Sequence, residues 1–337
     1  MRIVMMGTGT FAEPTFEALI AAGATVVGLV TQPERDTGRK GSSTRQTGKG
    51  MASIATSAGI PVVQPESINT PDGLAQLQAF NPELLVVAAY GQILSKDVIS
   101  TPTHGAINVH ASLLPKYRGA APIAHAILNG ESSTGVTIIR ITPGLDAGEM
   151  LAQEAVDIHP TETTGELETR LAPLGARLCI DVLQRMKNGP VLATKQDQSL
   201  VTKAPKMKKE MGLIDWTRPA DVICNHVRAM QPWPTAYTYF HRPGKEPMRV
   251  IITRAEVCPS PQSEPPLSVG EFSKTPAPGK PLQVWCSPDL LSVLELQPAG
   301  KNRMTAEEFV RGYPVQNGYR FGPNHFTTEG TESHREE

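Results

Sequence analysis

The chain has 337 residues, 39% of them hydrophobic, and carries a formal net charge of −1 at pH 7. This length and apolar content allow two domains with buried cores, and the near-neutral charge argues against a surface coated for nonspecific nucleic-acid binding, although a local basic surface can still steer one RNA. Residue 1 leads directly into an apolar run, with no signal segment, transit peptide or membrane-spanning stretch, so the sequence predicts a cytoplasmic protein that does not enter membranes.

The cysteines and histidines show no pattern typical of a metal site. The cysteines are scattered and form no CxxC pair, at Cys179, Cys224, Cys258 and Cys286. The chain also lacks an HExxH motif, clustered ligands and a P-loop. We therefore expect reduced thiols, no disulfide framework and no metal.

Apolar runs alternate with helical patterns through the first half of the chain. Strands are predicted at the short apolar runs, which are residues 2–6, 25–31, 84–89, 106–110 and 136–141. Helices are predicted at residues 14–22, 73–79 and 165–187, the last followed by a break at Asn188-Gly189-Pro190. This alternation predicts an α/β fold built on a doubly wound, mostly parallel sheet.

The glycine-containing turn after the first strand differs from a dinucleotide fingerprint. Residues 7–11 read Gly-Thr-Gly-Thr-Phe and lack the third spaced glycine of that motif. Thr31-Gln32-Pro33 also stands at the end of the second strand, where the motif requires an acidic residue. The sequence thus predicts no nicotinamide cofactor.

The block from residue 105 to 150 carries three polar side chains suited to one reaction centre. Asn108 and His110 lie two residues apart at the end of a predicted strand, so both leave the same face of the sheet. Imidazole can move a proton near neutral pH, and an amide can donate to a developing oxyanion without titrating. Asp146 follows the next strand in a glycine-containing loop, and it is the candidate carboxylate that holds the imidazole or positions a relaying water.

A purely structural explanation of these residues is also open. A single histidine at a strand end is more often a satisfied structural residue than a catalyst. An aspartate flanked by glycines commonly serves only the turn. Spacing alone favours this structural explanation.

The second half of the chain predicts a small β-barrel. Its short strands are expected at residues 236–240, 249–253, 282–285 and 290–296. Residues 258–281 are rich in proline and serine and predict an extended surface insertion within the barrel, and the polar stretch 327–337 predicts disorder. The predicted domain limits are residues 1–190, a linker at 191–206, a second domain at 207–322 and a tail at 323–337.

Two groups of basic residues are suited to phosphate contacts. The first lies in a stretch rich in glycine, serine and threonine, and comprises Arg35, Arg39, Lys40, Arg45 and Lys49. The second lies near the predicted domain boundary, and comprises Lys203, Lys206, Lys208 and Lys209. Composition alone equally describes ordinary solvated surfaces.

The motifs around the polar block resemble a known family. The sequence INVHASLLPKYRGAAP, followed by GVTIIRITPGLDAGEM, resembles the formyltransferase superfamily, whose members use an Asn-x-His pair, an SLLP turn and a downstream Asp. Further stretches resemble the members that formylate methionyl-tRNA, at residues 31–33, 118–123, 201–204, 214–216 and 296–301. The resemblance covers nearly the whole chain.

This resemblance implies both a fold and an activity. It implies a Rossmann-like catalytic domain without a nucleotide, followed by an OB-like β-barrel domain that binds tRNA. It also implies transfer of a formyl group from 10-formyltetrahydrofolate to the α-amine of methionyl initiator tRNA, for translation initiation, by a monomer. Asn108, His110 and Asp146 would be its catalytic residues.

The resemblance also implies binding residues. The turn Ser112-Leu113-Leu114-Pro115 would line the folate site, and Tyr90 is either a pocket residue there or a core aromatic. Contacts to tRNA are expected from Arg39, which occupies the family's Gly-Arg position, and from Lys40 and Lys206. Arg118 is expected to position or support its neighbours, because the run that it begins must pack tightly. One departure from the family pattern is Gly9, where proline is usual.

Three other functions remain open on the sequence. A formyltransferase acting on an amino sugar nucleotide shares the Asn-His-Asp core, and residues 118–123 and 296–301 favour tRNA over it. A formyltransferase acting on a purine intermediate would usually be shorter and lack the second domain. A noncatalytic RNA-binding module built on the same core is disfavoured by the intact catalytic residues.

Overall fold

The chain folds into two units in a computed structural model that describes residues 1–33, 48–258, 268–273, 282–316 and 318–324. The first unit is Met1–Met207 and the second unit is Lys208–Glu337. Each unit buries its own set of large apolar side chains. No helix in the described ranges is long and apolar enough to cross a membrane.

The first unit contains the strands β1 (Arg2–Gly7), β2 (Thr25–Val30), β3 (Val62–Val63), β4 (Leu84–Ala88), β5 (Ala106–His110), β6 (Arg118–Gly119), β7 (Ser133–Arg140), β8 (Met150–Asp157) and β9 (Lys203–Ala204). Its helices are α1 (Glu13–Ala21), α2 (Met51–Ser57), α3 (Pro71–Ala79), α4 (Lys96–Ser100), α5 (Pro122–Leu128) and α6 (Thr164–Asn188). The strands and helices predicted from the sequence are among them, with ends that differ by a few residues.

A seven-stranded sheet forms the centre of the first unit, in the order β3-β2-β1-β4-β5-β7-β8. The strands from β3 to β5 pair in parallel, whereas β5 with β7 and β7 with β8 are antiparallel. β1 and β4 are buried along nearly their whole length, which explains why their sequences are continuously apolar. The predicted α/β fold with a mostly parallel sheet is confirmed.

Helices cover both faces of this sheet. Met6 of β1 shares an apolar cluster with Leu77 of α3 and Val98 of α4. Alternate residues of a strand point to opposite faces, so Met5 faces the other layer, where α1 packs against α6. Both faces of the central strands are therefore shielded from water.

Helix α6 supports the strand that carries Asn108 and His110. It begins at a capping box, in which the Thr163 side chain accepts the Glu166 amide and the Glu166 side chain accepts the Thr163 amide. Gly175 faces Val109, because a Cβ atom added at Gly175 would lie 2.6 Å from Val109 Cγ1. The helix backbone thus approaches β5 on the face that Val109 occupies, and residues 108 and 110 face the other way.

The turn between β1 and α1 has a conformation that proline cannot adopt. Gly9 has a φ of +78°, whereas the proline ring holds φ at about −65°. Gly7 is tightly packed as well, since an added Cβ would lie 2.7 Å from Ala12 Cβ and 2.9 Å from the Ala88 carbonyl oxygen. A proline at position 9 would therefore require a different turn.

The second unit is built on an antiparallel sheet. Its strands are β10 (Ala236–Arg242), β11 (Lys245–Cys258), β12 (Leu282–Cys286), β13 (Asp289–Pro298), β14 (Met304–Thr305) and β15 (Arg320–Gly322), and its helices are α7 (Ala220–Ala229) and α8 (Ala306–Gly312). The strand order is β12-β13-β11-β10-β15, with β14 paired to β13. Phe240, Phe309 and Phe321 are fully buried.

A short segment nearly closes this sheet into a barrel. Glu271 bridges to Arg320 of β15, and Phe272 bridges to Val284 of β12, so the segment links the two edge strands. Phe272 is also buried against Phe240 and Phe321. The predicted barrel is confirmed, but the expectation of a surface insertion across 258–281 is wrong for residues 271–272, which belong to the barrel.

Several expectations fall on parts of the chain that the structure leaves undescribed. Most of the proline-rich stretch lies there, at residues 259–267 and 274–281, as does nearly all of the predicted tail. Arg39 and Lys40 also lie outside the described residues.

Candidate active site

His110 lies at the carboxyl end of β5, between the parallel and antiparallel parts of the sheet. Its side chain is 5% exposed, and its Nε2 atom lies 3.0 Å from the carbonyl oxygen of Tyr117. A carbonyl can only accept a hydrogen bond, so Nε2 carries a hydrogen and donates it. This bond leaves Nδ1 as the ring nitrogen that can gain or lose a proton.

The structure brings Asn108, His110 and Asp146 together. Asn108 Nδ2 lies 3.5 Å from Asp146 Oδ1, and His110 Nδ1 lies 3.7 Å from Asp146 Oδ2. The second distance suits an ion pair with a protonated imidazole but exceeds that of a hydrogen bond. The Asp146 side chain is 15% exposed, so the group remains open to solvent on one side.

The loop that carries Asp146 is tightly constrained. Asp146 has a φ of +45°, which is uncommon for a residue other than glycine. Gly148 must be glycine, because an added Cβ would lie 1.7 Å from the Arg140 carbonyl oxygen. The Gly119 amide donates to Asp146 Oδ2 at 2.8 Å and holds the carboxylate from the β6 side.

A buried amide and guanidinium lie behind this loop. The Gln196 Nε2 atom donates to the carbonyl oxygens of Asp146 and Gly148, both at 2.7 Å. Arg118 donates to Gln196 Oε1 from Nε at 3.0 Å and from Nη2 at 2.7 Å. Sequence reasoning missed Gln196, because it lies in the predicted linker, 50 residues from Asp146, and belongs to no periodic pattern.

The turn at residues 112–115 is held by its own neighbours. Thr137 Oγ1 donates to the Ser112 carbonyl at 2.6 Å and accepts the Leu114 amide at 3.2 Å. Gln153 Nε2 donates to the Leu114 carbonyl at 2.9 Å. Several backbone groups of this turn therefore already have protein partners, which makes the turn a rigid wall beside His110.

Tyr90 packs in the hydrophobic core of the first unit. It is 2% exposed and belongs to the cluster that contains Met6 and Leu77. Its hydroxyl group is buried and has no hydrogen-bond partner among the described residues. Burial raises the pKa of Tyr90 to about 12. Of the two roles that the sequence left open, burial in this cluster favours the core aromatic, and the pocket role stays a prediction.

The described members of the two basic groups are exposed. In the first unit these are Lys49, Lys206 and Lys203, the last in the strand that pairs with Arg118–Gly119. Lys49 is also paired with Glu17, at 2.6 Å between Nζ and Oε1. In the second unit, Lys208 and Lys209 are exposed.

The described residues contain no group of three or more His, Cys, Asp or Glu side chains arranged to hold a metal ion. The polar groups around His110 are one imidazole, one amide and one carboxylate. Such a set can move a proton and stabilise charge on an oxygen without a covalent intermediate.

Comparison with known proteins identifies close relatives over nearly the whole chain. Residues 1–183 match the formyl transferase family, and residues 206–314 match the formyl transferase C-terminal domain. The chain is 42% identical to the methionyl-tRNA formyltransferase of Citrifermentans bemidjiense over 322 residues, which cover 96% of each protein. It is 43% identical to that of Bacillus licheniformis, over 95% of this chain and 98% of the relative.

Among solved structures, the chain is similar to a sugar 3N-formyl transferase determined in the presence of dTDP and 5-N-formyl-THF. The TM-score is 0.62 with 16% sequence identity, and the match covers 90% of this chain and 99% of that one. At this identity the likeness concerns the fold alone.

Proposed function

This chain belongs to the formyl transferase family, and we propose that it transfers the formyl group of 10-formyltetrahydrofolate to the α-amino group of methionine on initiator tRNA. The observation that carries the proposal is the 42% identity to a methionyl-tRNA formyltransferase across 96% of both proteins. The proximity of Asn108, His110 and Asp146 supplies groups that this chemistry requires. Tetrahydrofolate would be released.

In the proposed reaction, His110 accepts the proton that the attacking amine loses and donates it to the leaving group. The amine forms a bond to the formyl carbon, the bond from that carbon to the folate nitrogen breaks, and the folate nitrogen gains a proton. Since Nε2 is committed to the Tyr117 carbonyl, Nδ1 is the atom that takes the proton from the amine and returns it to the leaving nitrogen. No covalent bond to the protein is needed.

Asn108 provides a donor for the oxygen that becomes negatively charged. Its amide has two N–H groups, and only one can point at Asp146 Oδ1, 3.5 Å away. The other is available to the oxyanion. An uncharged donor fixed at a strand end stabilises this charge without titrating itself.

Asp146 stabilises His110 when Nδ1 is protonated. The 3.7 Å separation between Nδ1 and Oδ2 suits this charge pair. The Gly119 amide and the glycine-bounded loop keep the carboxylate in place. Asp146 therefore acts on the imidazole, while Asn108 and His110 face the reacting atoms.

The formyl donor would bind beside the turn at residues 112–115. This turn follows His110 directly and is held rigid by Thr137 and Gln153. Bound there, the folate supplies an activated formyl group. Because the turn's backbone groups are largely occupied, the protein would recognise the donor mainly by shape at this wall.

Acceptor tRNA would be held by basic side chains around the site. Lys206 is exposed in the first unit, and the exposed Lys203 belongs to the strand next to Gly119, whose amide binds Asp146. Arg39 and Lys40, which lie outside the described residues, complete the proposed contacts. The second unit would act as a tRNA-binding domain, and we propose that the protein works as a cytoplasmic monomer.

The second candidate is a formyltransferase that acts on an amino sugar nucleotide. The solved sugar 3N-formyl transferase shares the fold at a TM-score of 0.62, so the fold alone does not separate the two activities. Sequence identity separates them, since it is 42% to a methionyl-tRNA formyltransferase and 16% to the sugar enzyme.

The direct test supplies purified protein with 10-formyltetrahydrofolate and one acceptor at a time. The acceptors are methionyl initiator tRNA, methionyl elongator tRNA and an amino sugar nucleotide. We expect rapid formylation of the initiator tRNA and none of the sugar. Formylation of the sugar alone would overturn the proposal.

A further inference from the structure

Residues 194–204 link the two loops that surround His110. At one end, Thr194 pairs with Met150 through two backbone hydrogen bonds of 2.8 and 2.9 Å, at the start of β8. At the other end, the Thr202 carbonyl accepts the Arg118 amide at 2.9 Å, and the Ala204 carbonyl accepts the Ala121 amide at 3.2 Å. This segment, which the sequence predicts as part of a linker, is fastened to the active-site side of the first unit.

Within the segment, Gln196 uses both ends of its carboxamide. Its two N–H groups donate to the Asp146 and Gly148 carbonyls, and its oxygen accepts two hydrogen bonds from Arg118. Gln196 is 7% exposed and Arg118 is 9% exposed. Buried polar groups are costly when unsatisfied, so this complete set of bonds fixes the position of the carboxamide.

The positive charge of Arg118 strengthens the hydrogen bonds by which Gln196 holds the Asp146 loop. Two donors of the guanidinium fork meet one amide oxygen, which withdraws electron density and makes the amide N–H groups better donors. Those N–H groups hold the carbonyl of Asp146 itself, at the residue whose φ is +45°. A backbone conformation of this kind persists only when surrounding bonds determine it.

The same segment also positions Tyr117, whose carbonyl accepts the hydrogen bond from His110. Thr202 Oγ1 accepts the Tyr117 amide at 2.8 Å, and the Tyr117 carbonyl accepts the hydrogen of His110 Nε2. Tyr117 likewise has a positive φ, of +64°. One short stretch of chain thus supports both the carboxylate and the carbonyl that act on the imidazole.

We propose that Gln196 is a positioning residue, which fixes Asp146 relative to His110 Nδ1 by bonding the Asp146 loop to Arg118. What Asp146 and His110 do in catalysis rests on the proposed function, whereas the positioning itself does not. Gln196 touches neither reacting substrate in this account. It acts through Asp146.

The test substitutes Gln196→Glu, which keeps the size of the side chain and the acceptor for Arg118. It replaces the two N–H donors by an oxygen that faces two carbonyl oxygens. Gln196→Met, which removes all four bonds without adding charge, is the second variant in case the first folds poorly. Gln78→Glu makes the same change at an exposed glutamine of α3 and is the control.

We expect both Gln196 variants to lower kcat by about 10- to 100-fold, the range found for residues whose hydrogen bonds orient metal ligands. The KM for each substrate should stay within about twofold, since substrate contacts are unchanged. In an Asp146→Asn background, Gln196→Glu should have little further effect, because it acts through Asp146. The proposal would be overturned if Gln196→Glu lowered kcat by the same factor in the parent and in the Asp146→Asn background. It would also be overturned if either Gln196 variant kept the parental kcat.

Hydrogen exchange provides a readout that needs no activity. The Gly119 amide, which donates to Asp146 Oδ2, should exchange faster in the Gln196 variants and at the parental rate in Gln78→Glu. Unchanged exchange at Gly119 would refute the positioning role even in an enzyme that formylates tRNA. If the parent fails to formylate tRNA but the Gly119 amide still exchanges faster in the Gln196 variants, only the proposed function is refuted.

Discussion

His110 and Tyr117 are joined by a 3.0 Å hydrogen bond from the ring Nε2 to a backbone carbonyl. This bond assigns the two ring nitrogens to different tasks, because the carbonyl requires a hydrogen on Nε2. Nδ1 is left to exchange protons and faces Asp146 Oδ2 at 3.7 Å. The proton path proposed for formyl transfer follows from this assignment.

Asn108→Ala should lower kcat by about 100- to 1,000-fold, the range found when one oxyanion donor is removed. Among the described residues, the Asn108 side chain makes only the long 3.5 Å hydrogen bond with Asp146, so the fold should be retained in the variant. Steady-state kinetics and circular dichroism check both parts. A folded variant with nearly parental kcat would exclude Asn108 as the oxyanion donor.

Lys206→Ala and Lys203→Ala should each raise the KM for tRNA. A lost phosphate contact also makes binding less dependent on salt, so the slope of log KM against log salt should fall by about one for each contact. Lys187→Ala, at an exposed lysine near the end of α6, is the control. A steeper slope in the Lys206 or Lys203 variant than in the parent would argue against phosphate binding there. Arg39→Ala should behave like Lys206→Ala.

Tyr90→Phe should leave the KM for the formyl donor unchanged. The hydroxyl group is buried without a partner among the described residues, so its removal should leave the free energy of unfolding unchanged or raise it by about 1 kcal/mol. Tyr117→Phe is the contrasting variant, since its hydroxyl donates to Glu131 Oε1 at 2.7 Å and its loss should destabilise the fold. A clear rise in donor KM for Tyr90→Phe would instead identify Tyr90 as a pocket residue.

Glu168→Gln should stabilise the protein at pH 8. Burial raises the pKa of Glu168 above its ordinary 4.5, although the hydrogen bond from Thr10 lowers it in part. The folded state therefore keeps this proton to a higher pH than the unfolded state, and stability falls as pH rises between the two pKa values. Glutamine stays neutral and avoids that loss.

Urea unfolding at pH 8 and pH 4 measures this effect. The gain from Glu168→Gln should be present at pH 8 and should shrink at pH 4, where the parent carboxyl is largely protonated in both states. Glu66→Gln, at an exposed glutamate, should change stability little at either pH. A gain of equal size at both pH values would show that ionisation of Glu168 is not its cause.

The sequence predicts the elements whose patterns are local. Short stretches of sequence are enough to show the apolar run of β5 and the helical spacing of α6. The same holds for the barrel strands β10 to β13. The proximity of Asn108 and His110 follows from strand geometry alone. The sequence assigns Asp146 to the same site only through the family resemblance, because its spacing in the sequence is equally typical of an aspartate that serves a turn.

The rest of the site depends on contacts between distant residues. Arg118 and Gln196 are 78 residues apart, and Gln196 meets the Asp146 carbonyl 50 residues away. The group that fixes His110 is the backbone carbonyl of Tyr117, whose direction no side-chain pattern reveals. Phe272 shows the same limit in the second unit, since its burial depends on pairing with β12.

Single-turnover transfer of a labelled formyl group from 10-formyltetrahydrofolate to methionyl initiator tRNA tests the central claim most directly. The parent should transfer the label to the methionine amine, and His110→Ala should slow the step by at least about 100-fold while remaining folded. Transfer by folded His110→Ala within about threefold of the parental rate, well below the effect of a lost general base, would contradict the account.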